Sequence, residues 1–147
     1  ALAGMLLASF TIPQIFVVAT IDPMASVSSL SITDQIIHGQ VYAISEEVFF
    51  RGAILGFILW QVPHDLNLGR FLSIKITIPQ EWFASALSAG IFALYHLAVY
   101  GYSSATFYVL IAGFILGMVT AYSKRLSPAI LAHCSNNLFS VILSGGP

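Results

Sequence analysis

Two adjacent glutamates and an arginine stand in the apolar stretch AISEEVFFRG, residues 43–52. In a helix, Glu47 and Arg51 are four residues apart on one face, in the order that favours an ion pair. Glu46 lies about 100° around the helix from Glu47 and points elsewhere. We therefore expect Arg51 to hold Glu47, and we expect Glu46 to be available as a general base.

Two more polar pairs have the same one-turn spacing. Phe92 precedes His96 in IFALYH, and His133 precedes Asn137 in LAHCSNN. A carboxylate, two imidazoles and an amide from three helices can activate water and stabilise an oxyanion. From the residues alone, a structural interpretation stays open, because membrane His and Asn side chains also serve as contacts between helices.

The other candidates carry less chemistry. His38 lies near the start of a predicted helix and His64 lies in a predicted loop, so we expect both to be incidental. Cys134 follows His133 and faces another side of its helix, which argues against a thiol nucleophile. As the only cysteine in the chain, it excludes an internal disulfide and a multi-cysteine zinc site.

The composition places these residues in a membrane protein. Hydrophobic residues make up 58% of the chain, charged residues 7%, and the mean hydropathy is +0.90. Soluble domains carry roughly a quarter charged residues. The net charge of −1 excludes the basic surface that nucleic acid requires. The lipid bilayer is the expected partner, and ionisable groups within it face an interior or a cavity.

The apolar segments predict an all-α membrane protein, a polytopic bundle of about five transmembrane helices with the active site inside. The predicted helices cover residues 2–21, a run from a Ser31 or Thr33 cap to about residue 60, and residues 80–100, 104–123 and 127–143. No strand is predicted, since lipid forces backbone groups to bond within helices. The spacings Gly52–Gly56 and Gly113–Gly117 permit close helix contacts.

Basic residues predict the topology. They lie in two alternate loops, as Arg70 and Lys75 and as Lys124 and Arg125. The positive-inside rule then makes loops 61–79 and 124–127 cytoplasmic in a multi-pass protein. Counted along the helices, Glu46 and His96 fall near the non-cytoplasmic end and His133 nearer the other end, a difference in depth of about 10 Å.

Together, Glu46-Glu47-x-x-x-Arg51, Phe92-x-x-x-His96 and His133-x-x-x-Asn137 resemble the three motifs of the CPBP family of intramembrane proteases. That family includes the type II CAAX prenyl endopeptidases and the bacteriocin-processing and immunity (Abi-like) proteins, which implies a bacterial or archaeal membrane. The resemblance implies a single domain over residues 1–147 with core motifs at about 33–143. The chain is shorter than the family's eight-helix enzymes, which suggests a fragment of a longer chain.

The resemblance also implies roles for the motif residues. Glu46 acts with His96 as the general base that activates water for attack on a peptide carbonyl. His133 and Asn137 donate to the oxyanion of the tetrahedral intermediate. The supporting positions are Glu47, Arg51 and Phe92.

Three alternatives remain at the level of the sequence. Glu46, His96 and His133 would also form a zinc site with an open position, although no HExxH helix is present and we favour a metal-free mechanism. Buried ionisable residues serve transporters and proton relays as well. A non-catalytic immunity protein could share the fold. The favoured substrate is a peptide or lipidated protein at the membrane, of the CAAX-type prenylated or the bacteriocin leader type.

Overall fold

The computed structural model describes residues 31–71 and 74–143, so the predicted span at residues 2–21 lies outside the described residues. These residues form two compact units, residues 31–53 with 126–143 and residues 54–71 with 74–125. The elements in chain order are α1 (Ile32–Glu46), a π-helical segment (Glu47–Leu55), α2 (Gly56–Gln61), β1 (Asp65–Phe71), β2 (Ile74–Pro79), α3 (Gln80–Tyr100), α4 (Ser104–Ser123) and α5 (Ser127–Leu143).

Helix α1 begins at the cap that the sequence predicts. The Ser31 hydroxyl oxygen accepts from the backbone N–H of Asp34 at 3.2 Å, and this satisfies one of the donors left over at a helix start. After Glu46 the backbone forms a π-helix for nine residues, which the sequence analysis did not predict. Most π-helix in proteins is limited to single turns and often occurs at functional sites.

In the first unit, α1 packs against α5. Ala43 on α1 and Ala129 on α5 have no exposed surface. Small residues let two helices approach closely, which brings polar side chains on facing turns into hydrogen-bond range. Phe50 of the π segment is also buried.

In the second unit, α3 packs against α4 where α4 carries two glycines. A Cβ on Gly117 would lie 3.1 Å from the Cβ of Ser85, and one on Gly113 would lie 3.0 Å from Cδ1 of Phe92. The prediction of a close contact at Gly113–Gly117 is therefore confirmed.

The spacing Gly52–Gly56 has no such close contact within the described part of the chain. A Cβ on Gly56 would have no described atom within 4 Å, and one on Gly52 would make only ordinary contacts, the nearest at 3.7 Å with Leu126. The spacing of two glycines on a helix permits a close partner but does not supply one.

The junction of α2 and α3 has its own core. Leu55, Ile58 and Ala84 form a buried cluster there. The buried Gln80 donates its side-chain amide to the backbone carbonyls of Leu59 and Val62. These bonds satisfy carbonyls at the end of α2 and join it to the start of α3.

The prediction that the chain contains no strand is wrong. Strands β1 and β2 pair in antiparallel fashion between α2 and α3, with an irregularity between Asn67 and Arg70. Gly69 has a φ of 91°, and its N–H donates to the side chain of Asn67 at 3.1 Å. This segment lies outside the predicted spans, so its backbone groups can pair between strands. Four of the five residues 74–78 are β-branched, which favours a strand.

Among the described helices, α4 has both the length and the apolar character of a membrane span, with 20 residues and a mean hydropathy of 1.9 over its apolar window. Aromatic residues lie near the helix ends in this unit. Trp82, early in α3, donates from Nε1 to the hydroxyl oxygen of Tyr122, late in α4, at 3.1 Å. Trp and Tyr are typical of the level of the lipid headgroups.

Candidate active site

The predicted ion pair between Glu47 and Arg51 is present. Arg51 donates from Nη1 to Oε1 of Glu47 at 2.9 Å. Glu47 is 0% and Arg51 2% exposed. A buried charge is tolerated when it is paired in this way. The four-residue spacing was sufficient to predict this contact.

The same oxygen of Glu47 has a second partner that the sequence analysis missed. Nδ1 of His133, on α5, lies 2.8 Å from Oε1 of Glu47. A carboxylate paired with Arg51 can only accept, so Nδ1 carries the hydrogen of this bond. Glu47 thus fixes the orientation of the His133 ring as well as binding Arg51, and it leaves Nε2 on the far side of the ring.

Glu46 lies on that far side. Its Oε2 is 3.7 Å from Nε2 of His133, and the two side chains are 18% and 13% exposed. The predicted difference in depth between Glu46 and His133 is wrong, because their side chains lie within 3.7 Å of each other.

Asn137 lies one turn beyond His133 and donates from Nδ2 to the carbonyl oxygen of Gly39, on α1, at 3.1 Å. A neighbouring bond runs the other way, from Nε2 of Gln40 to the carbonyl oxygen of Cys134 at 3.2 Å. The sequence analysis did not single out Gln40. Its signal was available, because Gln40 is a polar side chain two turns before Glu47 and on the same face of the helix.

His96 and Phe92 belong to the second unit, where they contact each other. Nδ1 of His96 donates to the carbonyl oxygen of Phe92 at 2.9 Å, and the two rings pack edge to face with centroids 4.3 Å apart. A carbonyl only accepts, so Nδ1 carries the hydrogen and Nε2 is the acceptor of the neutral ring. Phe92 packs closely against Gly113, and its carbonyl orients the ring of His96.

The structure therefore brings five of the seven predicted residues together in the first unit: Glu46, Glu47, Arg51, His133 and Asn137. Gln40 joins them as an addition. His38 and His64, which we expected to be incidental, contact other residues. His38 stacks on Tyr42, and the backbone carbonyl of His64 accepts from the N–H of Gln80.

A zinc site was the alternative for Glu46, His96 and His133. Within residues 31–71 and 74–143, no three His, Cys, Asp or Glu side chains are grouped closely enough to hold a metal ion. In the first unit, Glu46 and His133 are the members of that predicted ligand set that lie together, and catalytic zinc takes three protein ligands. The described residues of this unit do not fit the metal by themselves.

Comparison with known proteins gives the family of the chain. A model of the Rce1-like family, described as type II CAAX prenyl endopeptidase Rce1-like, matches residues 28–139. The chain belongs to the Rce1-like family. The resemblance that the three motifs indicated is thereby confirmed, and the matched range contains every predicted site residue. No curated protein and no solved structure matches the chain.

Membership of the Rce1-like family establishes the general class of this protein. The family is helical and membrane-embedded, and it implies protease activity. The mostly helical fold and the apolar helix α4 agree with that class. The polar cluster of the first unit is thus the candidate active site of an Rce1-like endopeptidase.

Proposed function

We propose that this chain hydrolyses a peptide bond of a membrane-associated protein with a water molecule that Glu46 activates. The observation that carries this proposal is the pairing of Glu46 Oε2 with His133 Nε2 at 3.7 Å. Two atoms at that separation are too far apart for a good direct hydrogen bond. They can instead contact two oxygen atoms that share one carbon, at about 2.8 Å each. That geometry suits a general base and an oxyanion donor around one reacting carbonyl.

The proposal gives Glu46 and Glu47 different roles. Oε1 of Glu47 accepts from Arg51 and from His133 and is buried, so Glu47 is a positioning residue. Glu46 is partly exposed, which gives water access to its carboxylate. In the proposed reaction Glu46 takes a proton from water, the hydroxide attacks the peptide carbonyl, and Glu46 returns the proton to the leaving amine.

His133 and Asn137 are the proposed oxyanion donors. Because His133 already donates from Nδ1 to Glu47, it can donate from Nε2 only as an imidazolium. The carboxylates on its two sides complement that charge. Nδ2 of Asn137 carries two hydrogens, of which one goes to Gly39, and the proposal assigns the other to the oxyanion.

We also propose a role in the base for His96, on the family motif alone. Its Nδ1 hydrogen is committed to Phe92, so Nε2 can accept a proton or a hydrogen bond from water. The proposed substrates are membrane-associated proteins or peptides, of the CAAX-type prenylated or the bacteriocin leader type. We further propose a multi-pass bundle of about five spans in a bacterial or archaeal membrane.

The test is cleavage of a fluorogenic CAAX-type peptide, and of a leader-type peptide, by the purified protein in lipid vesicles. We expect Glu46→Gln to reduce kcat by roughly 10³-fold or more, because general-base catalysis and the charge that supports it are both removed. Glu81→Gln makes the same chemical change in the first turn of α3, which lies in the second unit. That control should keep wild-type activity.

Full activity in Glu46→Gln would refute the proposed mechanism. A parallel assay with a chelator addresses zinc. The metal-free proposal expects unchanged cleavage, whereas loss with the chelator and recovery with added zinc would establish the metal mechanism instead.

A further inference from the structure

Two side-chain amides join α1 to α5 in opposite directions. Gln40, on α1, donates to the carbonyl oxygen of Cys134 at 3.2 Å. Asn137, on α5, donates to the carbonyl oxygen of Gly39 at 3.1 Å. Each helix therefore supplies one donor and one acceptor, on neighbouring turns. We call this pair of bonds the amide clamp.

The amide clamp selects one register of α5 along α1. Successive residues of a helix differ by about 1.5 Å along the axis and by about 100° around it, so a donor that reaches one carbonyl does not find another in the same direction after a slip of one residue. The buried residues Ala43 and Ala129 have small side chains without a hydrogen-bond donor or acceptor, so they add no such selection.

The register that the clamp selects is the one the site needs. His133 directly precedes Cys134, and Glu47 follows Gln40 by two turns on the same face. A slip of one residue would move His133 by about 1.5 Å. That displacement would break its 2.8 Å contact with Glu47 and change its 3.7 Å separation from Glu46.

We infer that Gln40 is a positioning residue for peptide hydrolysis, which with Asn137 locks α5 on α1 in the register that holds His133 against Glu47 and beside Glu46. The inference rests on the proposed function. It gives Gln40 no contact with the substrate.

Gln40→Met tests the inference, because methionine keeps the length of the side chain and removes the donor. We expect kcat to fall about tenfold or more, since a misplacement of the order of 1 Å can cost that much, while KM stays the same. Gln61→Met makes the same change at an exposed position at the end of α2 and should leave both constants unchanged. An unchanged kcat in Gln40→Met, or a raised KM alone, would overturn the inference.

A double-mutant cycle with Asn137→Leu tests whether the two amides act together. Bonds that share one register are coupled, so the double variant should lose less activity than the product of the two single losses. Losses that multiply would mean that Gln40 and Asn137 act independently, and this would refute the clamp.

A distance measurement tests the clamp without any activity. Spin labels at Val41→Cys and Phe139→Cys, both exposed positions in the first unit, report the register of α1 and α5 in a Cys134→Ser background that keeps the Cys134 carbonyl. We expect Gln40→Met to shift or broaden the pulsed-EPR distance distribution and Glu46→Gln to leave it unchanged. An unchanged distribution in Gln40→Met would refute the clamp. If the wild type cleaves no peptide, the proposed function fails and this measurement still decides the clamp.

Discussion

At the scale of single residues, one oxygen of the Glu47 carboxylate binds two partners in the first unit. Oε1 of Glu47 accepts from both Arg51 and His133, whereas Oε2 of Glu47 is buried with no hydrogen-bond partner among the described residues. The charge of Glu47 is therefore balanced from one side. Stability and ring orientation depend on the same atom, so substitutions here should affect both folding and catalysis.

Arg51→Met is expected to lower the free energy of unfolding by about 3–5 kcal/mol, because it removes the permanently charged partner of the buried Glu47 carboxylate. The measurement is reversible unfolding in mixed micelles followed by circular dichroism. Arg125→Met removes an exposed arginine after α4 and should change stability by less than about 0.5 kcal/mol. Equal changes in the free energy of unfolding for the two substitutions would show that the buried ion pair contributes no more to stability than an exposed arginine.

At the scale of elements, the sequence predicted most helices and missed what departs from a regular helix. Hydropathy and caps placed α3, α4 and α5 at their observed bounds. The π segment was missed because its sequence reads as an ordinary apolar helix. The strands were missed because the expectation of helices in lipid was extended to a loop. Within the site, spacing along one helix predicted Glu47 with Arg51, but contacts between helices, such as Glu47 with His133, depend on packing that spacing does not contain.

The two glycine spacings provide a prediction at this scale. Gly117→Ala should reduce the free energy of unfolding by about 1–3 kcal/mol, since the added methyl group would lie 3.3 Å from the backbone Cα of Ser85 as well as against its side chain. The matched Gly56→Ala adds a methyl group with no described atom within 4 Å, so it should be neutral or stabilise by up to about 1 kcal/mol. Thermal unfolding followed by circular dichroism measures both variants, and the reverse order of effects would contradict the packing described for α3 and α4.

At the scale of the whole molecule, helix length relates the second unit to the bilayer. Helix α3 has 21 residues and α4 has 20, which corresponds to about 30 Å each and matches the hydrocarbon thickness of a bilayer. We propose that both helices cross the membrane. The β1–β2 segment and the Lys124–Arg125 turn then share the cytoplasmic side, as the basic residues predict.

Cysteine labelling checks this topology. In a Cys134→Ser background, Thr77→Cys in β2 should react with a membrane-impermeant maleimide only from the cytoplasmic side. Tyr102→Cys, at a position that is 96% exposed between α3 and α4, should react only from the opposite side. Labelling of both positions from one side would refute the proposed crossing of α3.

The contact between Trp82 and Tyr122 has a further consequence for how this protein is observed. The chain contains two tryptophans, Trp60 and Trp82, and both lie in the second unit, one in α2 and one in α3. Intrinsic tryptophan fluorescence therefore originates outside the unit that carries Glu46 and His133. A fluorescence melting curve therefore follows probes in α2 and α3, and the cluster around Glu46 and His133 requires a separate probe in the first unit.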